Sequence, residues 1–317
     1  MASQLWAVNS LGGYFYSLNL SEELRETLQP LTKFRQFADV RDASQQGKKH
    51  GDTYTWDVVG NVVSSGGTVV ETNTMPETNF TIVQGTLTVV EYGNSVPYSG
   101  KLDALSQWDV KRPVMQALKN DAVKTFDRAV HTQFNNAQIR VCSTNTTSIV
   151  TTTNGTMTAT NSANYTSTHH KLVIDLMKER NIPPYLGDDY IALAWPSTFR
   201  PIKNNLETLH QYSAPGLGLI MAGEAGRYEN CRFVEQSNIL KGVTNNGTAW
   251  TNGFSDWIYI FGEDTVMEGV VVPEEIRAKI PTDYGRSKGV AYYALMGWGI
   301  VQQNATDCRI VKWDSVA

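Results

Sequence analysis

The sequence predicts an α+β protein, and three features carry that prediction. Residues 51–100 read as a long two-stranded β-ribbon, because from Thr53 onward Tyr54, Trp56 and Val58 alternate with Thr55 and Asp57, the pattern of a half-buried strand. Residues 113–134 carry apolar side chains at steps of about 3.6, the mark of a long amphipathic helix. Residues 188–281 then alternate short apolar runs with at least one helical segment, an α+β or α/β unit.

Taken in order, residues 1–50 form a polar and basic arm. A short helix is expected to open at Ser21, an N-cap followed by Glu22 and Glu23, and Arg35, Arg41, Lys48 and Lys49 follow Pro30. Too little apolar periodicity is present here to close a core. The ribbon comes next, with a turn expected at residues 73–77 and a bend at Gly66-Gly67. Each of its arms holds about 18 residues, or roughly 55 to 60 Å at about 3.3 Å per residue. A lone two-stranded hairpin is marginal in water, so such a ribbon needs a surface to lie on.

A lead-in helix over Leu102–Val110 precedes the long helix, whose start is marked by Pro113. Met115, Leu118, Ala122, Phe126, Ala129 and Val130 make its expected apolar face, with Lys119, Lys124 and Arg128 largely off it. The segment "CSTNTTSIVTTTNGTMTATNSANYTST" follows, and its Asn154-Gly155 reads as a tight turn between two Thr-rich strands. A helix from Thr168 to Arg180 is stopped by Asn181 and the Pro183-Pro184 pair. The strands YIALAW, GLGLIMAG, RFVEQ and WIYIFG and the helix TFRPIKNNLETLHQY come after it, and AYYALMGWGIV and CRIVKW close the chain.

The chain has 317 residues, 41% of them hydrophobic, enough for one large core or two moderate ones. A net charge of −4 excludes a general nucleic-acid binder that works through a basic field. Cys142, Cys231 and Cys308 have no paired spacing, which argues against a zinc ribbon or a disulfide framework and for a reducing compartment. The N-terminal residues lack both a basic start and a continuous apolar core, so neither a secretory signal nor a membrane span is expected there.

Catalytic patterns find little support. GLGLIMAGEAG, residues 216–226, fails the dinucleotide spacing because position 221 is Met, and a strand with glycine turns is the plainer reading. His169-His170 could offer a metal ligand, yet adjacent helical residues point about 100° apart, and a helix start accounts for them. Asp188-Asp189 and Glu263-Asp264 could bind a cation or act as acid and base, but turns are the commoner role for such pairs. No catalytic residue, cofactor or metal is expected.

The order of elements is distinctive: basic arm, ribbon, long helix, Thr-rich hairpin, mixed unit and returning strand. Together with GTLTVVEYGNSVPYSG leading into the helix and GEAGRYENCRFVEQSN later, it resembles the major capsid protein of tailed double-stranded DNA bacteriophages, the Hong-Kong-97-type capsid fold. The resemblance implies an N-terminal arm over 1–50, an extended loop over 51–100, and a peripheral domain with spine helix and Thr-rich hairpin over 101–168. An axial domain over 169–284 and a return to the peripheral domain over 285–317 complete it. It also implies a structural protein of the virion, assembled in the host cytoplasm through pentamers and hexamers into an icosahedral shell. Portal and scaffolding proteins, a cement protein and packaged DNA held non-specifically are its implied partners, with no membrane.

The extended loop would lie across a neighbouring copy. Its charges, Asp57, Glu71, Glu77 and Glu91, are all acidic, whereas Arg35, Arg41, Lys48, Lys49, Lys111, Arg112, Lys119, Lys124 and Arg128 make the arm and helix basic. These residues are the expected contacts between subunits, with charge fixing register more than affinity. Some relatives weld their shells by an isopeptide bond from a lysine in the loop; here residues 53–100 contain no lysine, so a non-covalent shell is expected. The rival readings are a β-rich tail-fibre or adhesion protein, against which the long helix counts, and an enzyme whose site the sequence does not disclose.

Overall fold

The computed structural model describes residues 32–43, 51–60, 62, 64–71, 74–106, 109–210, 227–238, 256–280 and 283–315. The expected helix at Ser21, the basic pair Lys48 and Lys49, and the GLGLIMAGEAG run lie outside them.

Helix α1 (Gly100–Leu105) begins where the Ser99 hydroxyl accepts the Leu102 N–H at 3.2 Å. Helix α2 (Lys111–Asn135) carries Pro113 in its first turn, where a missing N–H costs nothing. Its buried apolar side chains Val114, Leu118, Ala122, Phe126, Val130 and Phe134 fall at strict four-residue intervals, with Asp127 and His131 buried beside them. Four residues turn a helix by about 400°, so this stripe advances about 40° per step and sweeps about 200° along the helix. One helix therefore serves two sheets.

The first sheet has the order β1-β11-β12-β4, formed by β1 (Ala38–Asp42), β4 (Val90–Ser99), β11 (Val266–Ala278) and β12 (Ser287–Ile300). Phe126 meets it edge-on through Tyr92 and Tyr292 and lies tilted on Trp298. The second has the order β6-β5-β13-β10-β7-β9-β8. Its strands are β5 (Ile139–Ser143), β6 (Ile149–Thr152), β7 (Tyr190–Ala194), β8 (Arg227–Tyr228), β9 (Cys231–Glu235), β10 (Ile258–Phe261) and β13 (Ile310–Trp313). Phe134 packs against Tyr259 and Phe261 of β10 and against Phe34 of the arm. Strands β7, β10 and β13 are buried at every position, as central strands covered on both faces should be. Helices α3 (Ser167–Glu179) and α4 (Pro196–His210) pack against each other.

Three expectations are corrected. The ribbon pairs only over β2 (Thr53–Val59) and β3 (Ile82–Thr88), seven residues each, because β4 leaves it to run antiparallel to β12. The ladder is thus about 23 Å long rather than 55 to 60 Å. Beyond it Pro76 lacks a donor and Gly66-Gly67 adds no packing surface, and the described residues of the tip form no ladder.

The Thr-rich hairpin turns earlier than expected, where Thr144 N–H bonds Ser148 O at 3.2 Å and the Asn145 side chain accepts the Thr147 N–H at 2.8 Å. Asn154-Gly155 follows β6, with Gly155 at φ +72° and its N–H on Gln138 O. Both Asn-led pairs carry turn chemistry, and the Asn145 side chain closes the one that pairs β5 with β6.

This hairpin and the closing strand β13 also belong to the seven-stranded sheet, whereas β11 joins the sheet beneath α2. Among the helix residues Met115 is 42% exposed rather than buried, because the stripe follows four-residue steps through Val114.

Candidate assembly interface

The ribbon is rooted firmly and ends freely. At its root the Trp56 indole N–H donates to Val301 O at 3.1 Å, and Gln303 Nε2 donates to Thr86 O at 3.0 Å. The Trp56 ring lies over Gly85, where a Cβ would overlap it, while Gly297 and Gly299 leave room for Leu87 and the β3 backbone. Leu87, Met267 and Val301, with Tyr54, Trp56 and Val89, form a small separate core there. Past this root every described residue from 62 to 82 is exposed, including Val69, Val70, Met75 and Phe80. Apolar side chains so placed mark an interaction surface.

The arm is bound to the body. Phe34 is fully buried against His131, Phe134 and Tyr259, and β1 runs parallel to β11. Arg35 donates through Nη2 to Glu268 at 2.8 Å and through Nη1 to Glu274 at 3.1 Å, and its guanidinium lies 4.9 Å from the Phe126 ring centre. Glu268 is wholly buried and also accepts the Trp298 indole N–H at 3.1 Å. Arg35, one of the expected contacts between subunits, is held by two carboxylates of its own chain. A lone acid inside the apolar run VMEGVVV was the signal that such an arginine must exist.

The other expected contact residues divide by position. Lys111, Arg112 and Lys119 line one wall of a groove of about 740 Å³ between α2 and the outer part of β11 and β12. Lys124 and Arg128 lie elsewhere on the helix: the Lys124 carbonyl accepts from Asn238 Nδ2 at 3.1 Å, and the Arg128 guanidinium donates to Asn238 O at 3.4 Å. Arg41 pairs with Asp39 on the exposed strand β1. Asp57 accepts from Gln84 across the ribbon and Glu91 accepts the Tyr293 hydroxyl, so both face their own chain. Glu71 and Glu77 sit exposed on the free tip.

The residues weighed for chemistry have structural duties. His169 closes a capping box with Thr166 at the start of α3, and His170 pairs with the Tyr165 hydroxyl at 2.7 Å. Asp189 is buried between Arg227 and Arg232, and Asp264 sits in a turn at φ +56° beside Arg309. All three cysteines are buried thiols, and burial pushes Cys142 up to about 12. Among the described residues no group of His, Cys, Asp or Glu is placed to hold a metal ion.

A further charged cluster lies inside the seven-stranded sheet. Asp314 accepts from Arg140, from Lys312 at 2.9 Å and from the Trp257 indole N–H at 2.9 Å. Burial brings the Lys312 ammonium down to about 8 although Asp314 works the other way, and its Nζ lies 4.3 Å from the Trp257 ring centre.

No family model and no curated protein sequence matches the chain. Solved structures do, phage capsids among them. The chain is similar to one in the capsid of cyanophage P-SCSP1u at a TM-score of 0.68 and 15% identity, covering 100% of this chain and 98% of that one. It is similar to a chain in the head of Helicobacter pylori bacteriophage KHP40 at 0.68 and 12% identity, with 94% of each covered. A third, in the capsid of Ralstonia phage GP4, gives 0.64 and 13% identity, covering 100% and 99%. The fold shared with these chains is the Hong-Kong-97-type α+β capsid fold, and the three matches cover 94 to 100% of the chain.

Proposed function

We propose that this chain is a structural major capsid protein, not an enzyme, which self-assembles through pentamers and hexamers into an icosahedral shell around double-stranded viral DNA. One observation carries the reading most: a fold shared end to end with phage capsid chains presents an anchored loop whose tip is exposed over its described length. A monomer gains nothing from such a tip, whereas a shell has a neighbour beneath it. In this reading α2 and the four-stranded sheet are the peripheral domain, and the seven-stranded sheet is the axial domain. The acidic tip lies toward basic surface on an adjacent copy. The shell is held without covalent links, a portal, a scaffolding protein and a cement protein are its partners, and assembly takes place in the host cytoplasm.

Negative-stain electron microscopy with sedimentation of the overexpressed protein tests this. Closed shells, tubes, or rings of five and six subunits are expected. A discrete monomer or trimer at all concentrations, unchanged by the scaffolding protein of its own phage, overturns the proposal.

A further inference from the structure

The groove beside α2 has an apolar floor and an unbalanced rim. Leu118, Ala122 and Phe126 lie at its base, while Met115, Val123 and Ile276 stand at its mouth, 42%, 43% and 58% exposed. Its acids are engaged within the chain: Glu275 holds Arg277, Glu274 shares Arg35 with the buried Glu268, and Asp109 accepts the Lys111 backbone N–H. Its bases are not: Lys111, Arg112 and Lys119 make no ion pair among the described residues. The slot therefore suits an extended peptide that is apolar and acidic.

The loop tip has that character. Met75, 73% exposed, is followed by Pro76 and Glu77, and residues 53–100 contain no Lys or Arg. Proline biases the residue before it toward an extended backbone, so Met75 is preset for insertion, and an unbranched thioether adapts to an irregular slot. In an extended chain Met75 and Glu77 point to the same side. A knob that enters the slot thus carries its acid toward the rim.

We propose that this slot is the seat for Met75 of a second copy of the chain, with Glu77 of that copy against the basic rim of α2. The inference rests on the capsid reading and narrows it from a crossing of surfaces to one side chain in one slot. Charge at the rim orients the approach, and apolar contact inside the slot holds it.

The test is a cysteine pair, Met75→Cys with Ile276→Cys, treated with diamide as oxidant after assembly. The native cysteines are buried at 1% exposure or less, so background is low. A disulfide requires Cα atoms within about 7 Å, which makes the readout local. Intersubunit multimers on non-reducing gels are expected from the pair and from neither single variant. Shells that form normally and give no multimers overturn the slot while leaving the capsid reading standing. Absence of any particle from the wild-type chain, with the scaffolding protein of its own phage present, overturns both. A second arm uses Met75→Leu, expected to assemble normally, against Met75→Asp, expected to slow assembly about tenfold or more. Because Met75 is 73% exposed in its own chain, neither change removes a buried core contact, and equal assembly of the two variants also overturns the slot.

Discussion

At the scale of single residues, the costliest places to change are the buried charges. Glu268 keeps its carboxylate inside β11 because Arg35 from the arm and the Trp298 indole supply its hydrogen bonds. Removing one partner of a buried pair costs about 3 to 5 kcal/mol, since the survivor stays desolvated. Arg35→Met is therefore expected to lower urea stability of dissociated subunits by about that much, and Arg35→Met combined with Glu268→Met by much less. Lys312 gives a pH signature of definite sign. Its folded value, brought from 10.5 to about 8 by burial, lies below the unfolded one, so above pH 8 the unfolded chain binds more protons and stability rises with pH. The cysteines work against this near pH 9, because burial raises Cys142 and Cys231. The difference between wild type and Lys312→Met isolates the lysine: the wild-type melting temperature should gain on the variant from pH 8 to pH 9. On the acid side burial holds His131 at about 3 and His170 at about 4, well below 6.5, so both contribute stability that is lost as pH falls below 6.5. A melting temperature that stays flat from pH 6.5 to pH 4.5 contradicts this.

At the scale of elements, the ribbon is aimed by what its root lacks. Gly85 admits the Trp56 ring, and Gly297 admits the Thr88 carbonyl and Leu87, so a methyl at Gly85 displaces that ring and a methyl at Gly297 presses the ribbon off β12. Gly297→Ala is expected to cost about 1 to 3 kcal/mol by overpacking and to raise protease sensitivity within residues 53–88. Wild-type cleavage kinetics in that variant would show that the root tolerates displacement. The same elements mark the limits of legibility. The helices were readable because their signals are local: Pro113 in a first turn, the Pro183-Pro184 stop, apolar steps over four turns. The partition of strands was not. IVKW and VMEGVVV are both apolar runs, and nothing in either says which sheet it joins; the partner strands, remote in sequence, decide it. Likewise β4 looked continuous with the ribbon, since its pairing with β12 is set roughly two hundred residues away. Among the candidate contacts, composition shows the basic character of Lys111, Arg112 and Lys119 but not that they share one groove, and the Glu268 partner of Arg35 becomes visible only once the arm lies beside β11.

At the scale of the whole molecule, the proposed shell asks how a chain of modest charge could hold a large assembly together. A closed shell engages each subunit with several neighbours at once, so weak single contacts multiply through effective concentration and no strong pairwise interface is needed. The exposed positions of Glu71 and Glu77 at the free tip then make them guides more than anchors. At 0.01 M salt their field reaches about 30 Å, and at 1 M only about 3 Å. Replacing both with Gln should therefore slow or misdirect assembly strongly at low salt and hardly at all at high salt, as followed by light scattering and microscopy. Identical kinetics at every salt concentration would remove charge from the account of assembly. Covalent welding from a loop lysine is not available, because residues 53–100 offer no lysine amine to attack a neighbour's carboxamide. Purified particles boiled in detergent should consequently run as a single band near the 35.2 kDa of the chain. A ladder of multiples would place a crosslinking lysine elsewhere, and it would transfer the shell's endurance from many reversible contacts to a few permanent bonds.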